Sequence, residues 1–370
     1  MTVFDIAVIG AGAVGAACAR AAARRRLQVA VFEPGPDPAA ASPASAGMLA
    51  AQIEPIDEPL LALSVRGRDL YEPLAPELRE TTGIDIGFWR AGIASVAFDE
   101  AATDRLKEDV ARQRQAGLRC DWLDESEVRE RWPGAARDCR GALFAPEDGA
   151  VDPQALTRAC LADARRLGAT LRVEKVTAVQ TANGRVTGVV TPGGATPVEH
   201  VVVAAGVWSS QLAGLPRPLL VEPVRGQMAA TPWPAGTPTA ILYHDHCYVL
   251  ARGADALLGS TMEHAGFDCR VTNEGLAQIF RGAERLLPAL LHQTVRRMWA
   301  GLRPVSADGL PIVGPDPDVA HLWYATGHGR NGILLAALTG EIIADLLTKA
   351  ETDVDIAPLR IDRLIAEPDT

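Results

Sequence analysis

Residues 10–15 read Gly-Ala-Gly-Ala-Val-Gly, a GxGxxG spacing between the apolar run Phe4 to Ile9 and the Ala-rich, helix-favouring stretch Ala16 to Arg26. A second apolar run, Gln28 to Phe32, closes on Glu33. Strand, glycine turn, helix and second strand ending in an acid form one βαβ unit of the length that holds a dinucleotide. Gly10 permits the tight turn, Gly12 lets backbone approach a pyrophosphate, and Gly15 lets the helix pack on the strand. N–H groups at the helix start then hold phosphate oxygens. Glu33 is placed to accept from ribose hydroxyls, and its charge disfavours a 2′-phosphate. By itself this unit fits FAD and NAD alike.

The chain has 370 residues, enough for two domains and a sizeable core. A net charge of −10 argues against nucleic acid or an anionic membrane as the main partner. The triplet Arg24-Arg25-Arg26 reads as the solvated end of the first helix. Six scattered cysteines without a CxxC pair point to a reduced, cytoplasmic protein. The apolar N-terminus lacks the basic flank of a secretion signal, because Asp5 sits there and the arginines follow the apolar stretch. With no run of about 18 apolar residues elsewhere, no membrane span is expected.

Further nucleotide-type elements recur along the chain. Pro34 to Ala46 reads as a Pro/Ala/Ser loop, and Ser45-Ala46-Gly47-Met48-Leu49 gives small residues against whose backbone a flavin can lie. A polar helix is expected from Asp99 to Gly117, an amphipathic one over Val151 to Leu167, and a hairpin turn around Asn183-Gly184. Gly206-Val207-Trp208-Ser209 comes off the buried strand His200 to Ala205. Between about 220 and 300 the pattern changes to short strands with turns, plus a helix from Thr272 to Leu287. Late in the chain, Gly327 to Gly332 (GHGRNG) joins the strand Leu322 to Thr326 to the helix Ile333 to Leu347. A second helix N-terminus of this kind stabilises negative charge on a reduced flavin, which favours FAD over NAD.

Taken together these parts resemble the D-amino-acid oxidase superfamily of FAD-dependent oxidoreductases, and its glycine oxidase branch in particular. The resemblance is carried by GAGAVG at 10–15, SAGML at 45–49, VVVAAGVWS at 201–209, YHDHCY at 243–248, WAGLRP at 299–304 and GHGRNGILLA at 327–336. It implies an α/β fold, with a Rossmann-type, glutathione-reductase-like FAD domain and an inserted α+β substrate domain on an antiparallel sheet. The expected units are 1–85 with 145–220 and 300–370 for FAD, and 86–144 with 221–299 for substrate. No cysteine lies near the 299–304 or 327–336 motifs, so the FAD is expected to be non-covalent.

By resemblance, FAD would lie against Gly10, Gly12, Ala13, Val14, Gly15, Glu33, Pro34, Ser42, Ala46, Gly47, Met48 and the backbone near Val176. Gly206, Trp208 and the loop His328, Gly329, Arg330, Asn331, Gly332, Ile333 and Leu334 would complete the site. Relative to the commoner Thr/Ser-rich version, the loop before SAGML carries Ala39-Ala40-Ala41-Ser42-Pro43, which leaves Ser42 as the best hydroxyl for phosphate.

The substrate end needs a cation for a carboxylate, and the planar fork of Arg suits that task. Arg303 in WAGLRP is a salt-bridging Arg on residue type alone; the resemblance makes it the carboxylate clamp. Arg330 matches a second substrate-proximal Arg, with bracing of its own loop as the other reading. In the run Tyr243 to Tyr248, strand alternation would place His244, His246 and Tyr248 on one face and Asp245 with Cys247 on the other, so mixed metal ligands would point apart. No metal is expected. The resemblance puts Tyr248 beside the substrate carboxylate and His246 near the pocket. Met262 is either an apolar pocket wall or a plain core residue.

The implied chemistry is direct hydride transfer from the α-carbon of a small amino acid to flavin N5. The imine then hydrolyses to a 2-oxo acid and ammonia, and dioxygen reoxidises the flavin with release of hydrogen peroxide. Glycine, sarcosine and small D-amino acids are not ranked by the sequence. A flavin dehydrogenase passing electrons to a quinone or partner, an N-methyl-amine oxidase and a non-catalytic flavin-holding subunit stay open, as does a homo-oligomer. Relatives of this kind supply a glycine imine for thiamine biosynthesis.

Overall fold

The computed structural model describes residues 4–53 and 58–365. Residues 1–3, 54–57 and 366–370, which belong to the expected FAD unit, lie outside the described residues. Among the described strands, two 8-stranded sheets dominate. In the first, β1 (Phe4–Ile9) runs parallel to β2 (Val29–Phe32) on one side and to Gly194–Val203 on the other. The order continues to Leu322–Thr326 and Ile312–Pro315 in one direction and to Thr170–Arg172 in the other. The central strands are buried on both faces, which is why they read as unbroken Val-rich runs instead of alternating ones.

Helix α1 (Ala13–Arg24) leaves the glycine turn after β1. Its alanines let it approach the C-terminal helix Gly332–Lys349 closely: a Cβ added at Gly340 would stand 2.7 Å from Ala17 O. At the end of α1, Arg24 and Arg26 are exposed as expected, and Arg25 departs from the expected solvated end. Arg25 is only partly exposed and pairs with Glu341 at 2.8 Å and with Asp345, both on the C-terminal helix, while Arg24 bonds Glu77 at 2.5 Å. Two acids one turn apart on a neighbouring helix create this anchor, which no local pattern reveals. Asn183 and Gly184 both take positive φ at the hairpin joining Ala178–Ala182 to Arg185–Thr191, as their residue types favour.

The second sheet follows the order Arg297–Ser306, Val221–Pro232, Asp255–Gly259, Cys247–Arg252, Ile241–His244, Ile93–Ala97, Gly141–Ala145 and Asp121–Leu123. Its alternation is plain. Ala229, Val249 and Leu258 pack with Ile279 and Ala283 of the helix Asn273–Leu286. Met228, Tyr248, Leu250 and Leu257 point the other way and pack with Ala46 and Met48 of the FAD-side loop. The strand Arg297–Ser306 pairs with Val221–Pro232 from Ala230↔Arg297 to Val221↔Ser306, so it belongs to the second sheet across the boundary expected at 300.

A buried polar network ties the loop after Met48 to its surroundings. Arg68 donates to Gln52 Oε1 at 2.6 Å and to Asp148 Oδ1 at 3.0 Å. Gln52 also exchanges hydrogen bonds with Gln113, at 2.9 and 2.8 Å. The two charges buried here, Arg68 and Asp148, face each other, as burial of charge requires.

Candidate active site

The nucleotide end is shaped mostly by backbone. Gly10 has φ +101°, and a Cβ there would lie 2.5 Å from Ala204 O. A Cβ at Gly15 would overlap Gly10 O, so the helix can start this close to β1 only without a side chain. Glu33 accepts from Ala11 N–H at 2.8 Å and from Gly35 N–H at 3.3 Å, which fixes its carboxylate beside the glycine turn. Ser42 Oγ accepts from Ala13 N–H at 2.9 Å, at the start of α1. The hydroxyl thus comes from another loop to the helix N-terminus, where phosphate oxygens would bind. Pro34 is exposed, and Gly12 and Val14 are partly exposed on the same rim.

The Ser45–Leu49 segment is held from the second sheet. Arg252 donates to Ala46 O and, at 2.7 Å, to Val151 O, and its burial lowers the guanidinium pKa. Gly47 has φ +74°, and a Cβ there would overlap Val151 O. Met48 pairs with Ala150. Val176 is buried between the strands Thr170–Arg172 and Ala178–Ala182, in a cluster with Phe32. Gly206 O accepts from Thr326 Oγ1 at 3.2 Å, and Trp208 packs against Ala39 and Leu302.

In the late loop, Gly327 and Gly329 take positive φ. His328 turns its ring into the core: Nε2 meets Thr339 Oγ1 at 2.9 Å, and burial pushes the imidazole down to about 4. Only the backbone of His328 is left to face a cofactor. Asn331 stands at the N-cap position of the helix Gly332–Lys349 without a side-chain capping bond; the Ile333 carbonyl accepts from the buried Tyr71 hydroxyl, and Leu334 is buried. The glycine turn and two helix N-termini supply N–H donors and the fixed acid an acceptor, the combination that a dinucleotide with a ring system to seat requires.

The strand carrying Arg303 is bonded to both cofactor-side loops. Trp299 Nε1 donates to Ala44 O at 2.9 Å and Leu302 N–H to Ala39 O at 2.9 Å. At the other end, Gly329 N–H donates to Pro304 O at 2.8 Å. Arg303 itself donates to Ser260 Oγ at 2.7 Å and to Thr261 O at 3.0 Å. Its guanidinium lies over Gly226 on the adjacent strand, where any Cβ would overlap it.

Tyr248 is buried, which raises its phenol pKa, and its hydroxyl donates to Met228 Sδ at 3.3 Å. The run Tyr243 to Tyr248 is not one strand. Asp245 and His246 have φ +44° and +66° and form the two-residue turn of a hairpin, pairing His244 with Cys247 and Tyr243 with Tyr248. Residues directly opposite in a hairpin share a face. His244 therefore goes with Cys247, against Val96 O and Ile279 O respectively, and His246 stands on the turn. The strand alternation expected across this run is overturned. Arg330 Nη1 meets His246 Nδ1 at 2.9 Å; Arg only donates, so that nitrogen accepts. Tyr243 hydroxyl lies 3.4 Å from the same atom. Arg330 thus reaches across to the second sheet, instead of only bracing its own loop. Met262 is 43% exposed beside Thr261, which excludes the plain core role.

Sequence reasoning singled out neither Tyr243, Ser260, Met228 nor Arg252. Only the Tyr pair carried a local signal: Asp is enriched in left-handed turns, so Asp245-His246 flanked by matched tyrosines is a hairpin pattern. Away from the site, Glu199, His200 and His321 bring possible metal-ligating atoms within 4.8 Å of one another. Trp323 Nε1–H already donates to His200 Nδ1 at 3.2 Å, and the two imidazoles stack at 15°. Their lone pairs do not converge.

Three comparisons bear on identity. The family model described as FAD dependent oxidoreductase matches residues 5–346. The glycine oxidase of Geobacillus kaustophilus is 37% identical over 372 residues, covering 98% of each chain, and that of Bacillus subtilis is 35% identical over 97% of each. The crystal structure of the Geobacillus kaustophilus glycine oxidase superposes with a TM-score of 0.94 at 35% identity, over 99% of this chain and 100% of that one. A matched family model over most of the chain, and relatives of this identity over nearly all of it, converge on one conclusion: this chain belongs to the family of FAD-dependent oxidoreductases.

Proposed function

We propose that the protein is an FAD-dependent amino-acid oxidase that oxidises glycine, or a comparably small amino acid, at the α-carbon. The observation that carries this reading is the bonding of the Arg303 strand to the Ala39–Ala44 loop on one side and to Gly329 on the other. An anion clamp on that strand is held in fixed relation to both parts of the cofactor cradle. The full-length similarity to two glycine oxidases supports the choice of substrate class.

In this reading Gly10, Gly12, Ala13, Val14, Gly15, Glu33 and Ser42 hold the adenosine and phosphate part of FAD. Ala46, Gly47, Met48 and the backbone of residues 327–334 seat its ring, without a covalent bond. Bound FAD would supply a two-electron acceptor for the substrate hydride, with dioxygen as the onward acceptor. The chain's own residues do the positioning. Arg303 pairs with the carboxylate through the donors of its fork. Tyr248 turns its hydroxyl from the Met228 sulfur to a carboxylate oxygen. Arg330, His246 and Tyr243 form the adjoining polar wall, and Met262 borders the entrance. No side chain in this constellation is required as a strong base; a neutral substrate amine drives the step, and water hydrolyses the product imine. Six unpaired cysteines fit a reducing compartment, the cytoplasm. Among the described residues no helix is long and apolar enough to cross a membrane.

The test is a peroxide-coupled assay of the flavin-loaded protein against glycine, sarcosine, D-alanine and D-proline. Peroxide from glycine or another small member of the set is the expected result. Flavin bleaching without peroxide transfers the reading to a dehydrogenase; neither bleaching nor peroxide with any of the four overturns it.

A further inference from the structure

The segment read above as part of the flavin-ring seat is held by a cation that arrives from the second sheet. Arg252 ends the strand Cys247–Arg252, four residues after Tyr248. Alternation puts Tyr248, Leu250 and Arg252 on one face of that strand. Tyr248 and Leu250 share an apolar cluster with Ala46, and Met48 packs against it. Arg252 adds polar contacts on the same face: its Nη2 donates to Ala46 O and, at 2.7 Å, to Val151 O.

Gly47 makes this arrangement possible. A Cβ there would stand 3.2 Å from Arg252 Nη2 and would overlap Val151 O, so the guanidinium and Val151 close over a bare α-carbon. The Gly47 carbonyl accepts from Val151 N–H at 2.9 Å. One nitrogen of Arg252 therefore joins two stretches of chain, at 46–48 and at 149–151, that are far apart in sequence. A guanidinium drawn away from water needs acceptors, and burial lowers its pKa here. Because both acceptors are main-chain oxygens, the bonds fix the path of the backbone itself. The nucleotide end has separate supports. Glu33 accepts from Ala11 N–H and Ser42 from Ala13 N–H, and Arg252 takes no part in either bond.

We propose that Arg252 is a positioning residue for the flavin ring. By fixing the backbone at 46–48 it governs how tightly the ring half of FAD is held, and it leaves the adenosine and phosphate half to the glycine turn. The inference rests on the reading of residues 46–48 as part of the ring seat. It deepens that reading by naming what holds the seat in shape.

Two variants test it, Arg252→Met and Arg252→Lys. The first keeps an unbranched apolar stem and removes the donors; the second keeps the charge on a shorter side chain without the planar fork. The full chain, freed of flavin, is titrated with FAD by quenching of flavin fluorescence, and separately with ADP by calorimetry. ADP carries the adenosine and phosphates of FAD but no ring, so it reports on the nucleotide end alone. The wild type is expected to bind FAD more tightly than ADP. In Arg252→Met the Kd for FAD should rise about 10-fold, with the Kd for ADP kept within about 2-fold, the size of effect for losing one hydrogen bond to a charged group. Arg252→Lys should show the same contrast at about 5-fold for FAD. Equal weakening of both ligands would mean that Arg252 supports the fold at large, and the proposal would be wrong. Unchanged FAD affinity in both variants would overturn it equally. Should the Met variant not fold, the Lys variant decides alone by the same contrast. A wild type that binds FAD no more tightly than ADP refutes 46–48 as a ring seat, and the Arg252 proposal falls with it. A wild type that prefers FAD, beside variants that keep the full preference, refutes Arg252 alone.

Discussion

The two ends of the site are built from different materials. At the nucleotide end, geometry comes from main chain: Gly10 and Gly15 allow approaches that any Cβ would block, and His328 turns its ring away into the core. The acid there, Glu33, is held by backbone N–H groups. At the proposed substrate end, side chains from separate strands define the geometry: Arg303 with Ser260, Tyr248 with Met228, and Arg330 with His246. Backbone cradles fail abruptly when a side chain is forced in. Side-chain clusters degrade in steps, each set by the group removed.

The largest effect should therefore come at the nucleotide end. Gly15→Val places a branched side chain on Gly10 O, and is expected to yield no soluble, flavin-bearing protein. Normal flavin content in the purified variant, read from its visible absorbance, would break the contrast. Arg303→Ala comes next. Loss of the clamp should raise KM for glycine by roughly 100-fold or more, the range for removing one partner of a charged, hydrogen-bonded pair. Flavin content should stay at wild-type level, because the bonds that tie this strand to the cofactor-side loops are made by Trp299, Leu302 and Pro304.

A smaller effect is expected from pH. The folded-state pKa of His328 is depressed to about 4 by burial, below its value of 6.5 in an unfolded chain. Between these values the unfolded state binds the extra proton, so the stability contribution is intact above pH 6.5 and is lost as pH falls toward 4. Melting temperatures of wild type and His328→Gln across this window should converge or cross as pH falls, since the variant lacks that titration. Parallel curves would show that the ring does not titrate as its burial implies. The smallest effect is assigned to Met228→Leu. It removes only the weak sulfur acceptor, and KM should stay within about 2-fold, because a charged carboxylate is the stronger partner for Tyr248. A large rise would mean that the sulfur itself orients the phenol.

The same division explains what was legible in the sequence. The GxGxxG turn, Glu33 and the Asn183-Gly184 hairpin are local: residue type and spacing dictate the conformation. The turn at Asp245-His246 was masked because it has no glycine, and its neighbours alternate as a strand would. Pairing with Ile93–Ala97 and Asp255–Gly259 on either side forces the chain to reverse there. Ser260, Met228 and Arg252 carry no local signal, since each acquires its role from a strand or loop far along the chain. Arg25 was misread for the same reason, its partners lying 316 and 320 residues away.

The central claim is that a carboxylate held by Arg303 presents its α-carbon to bound FAD. Anaerobic titration of the flavin-loaded protein with glycine, followed at the visible flavin band, tests it most directly. Saturable bleaching is predicted, with Arg303→Ala needing roughly 100-fold more glycine for the same extent. Persistent flavin colour with glycine, sarcosine and D-alanine alike, or superimposable titrations of the two proteins, would contradict it.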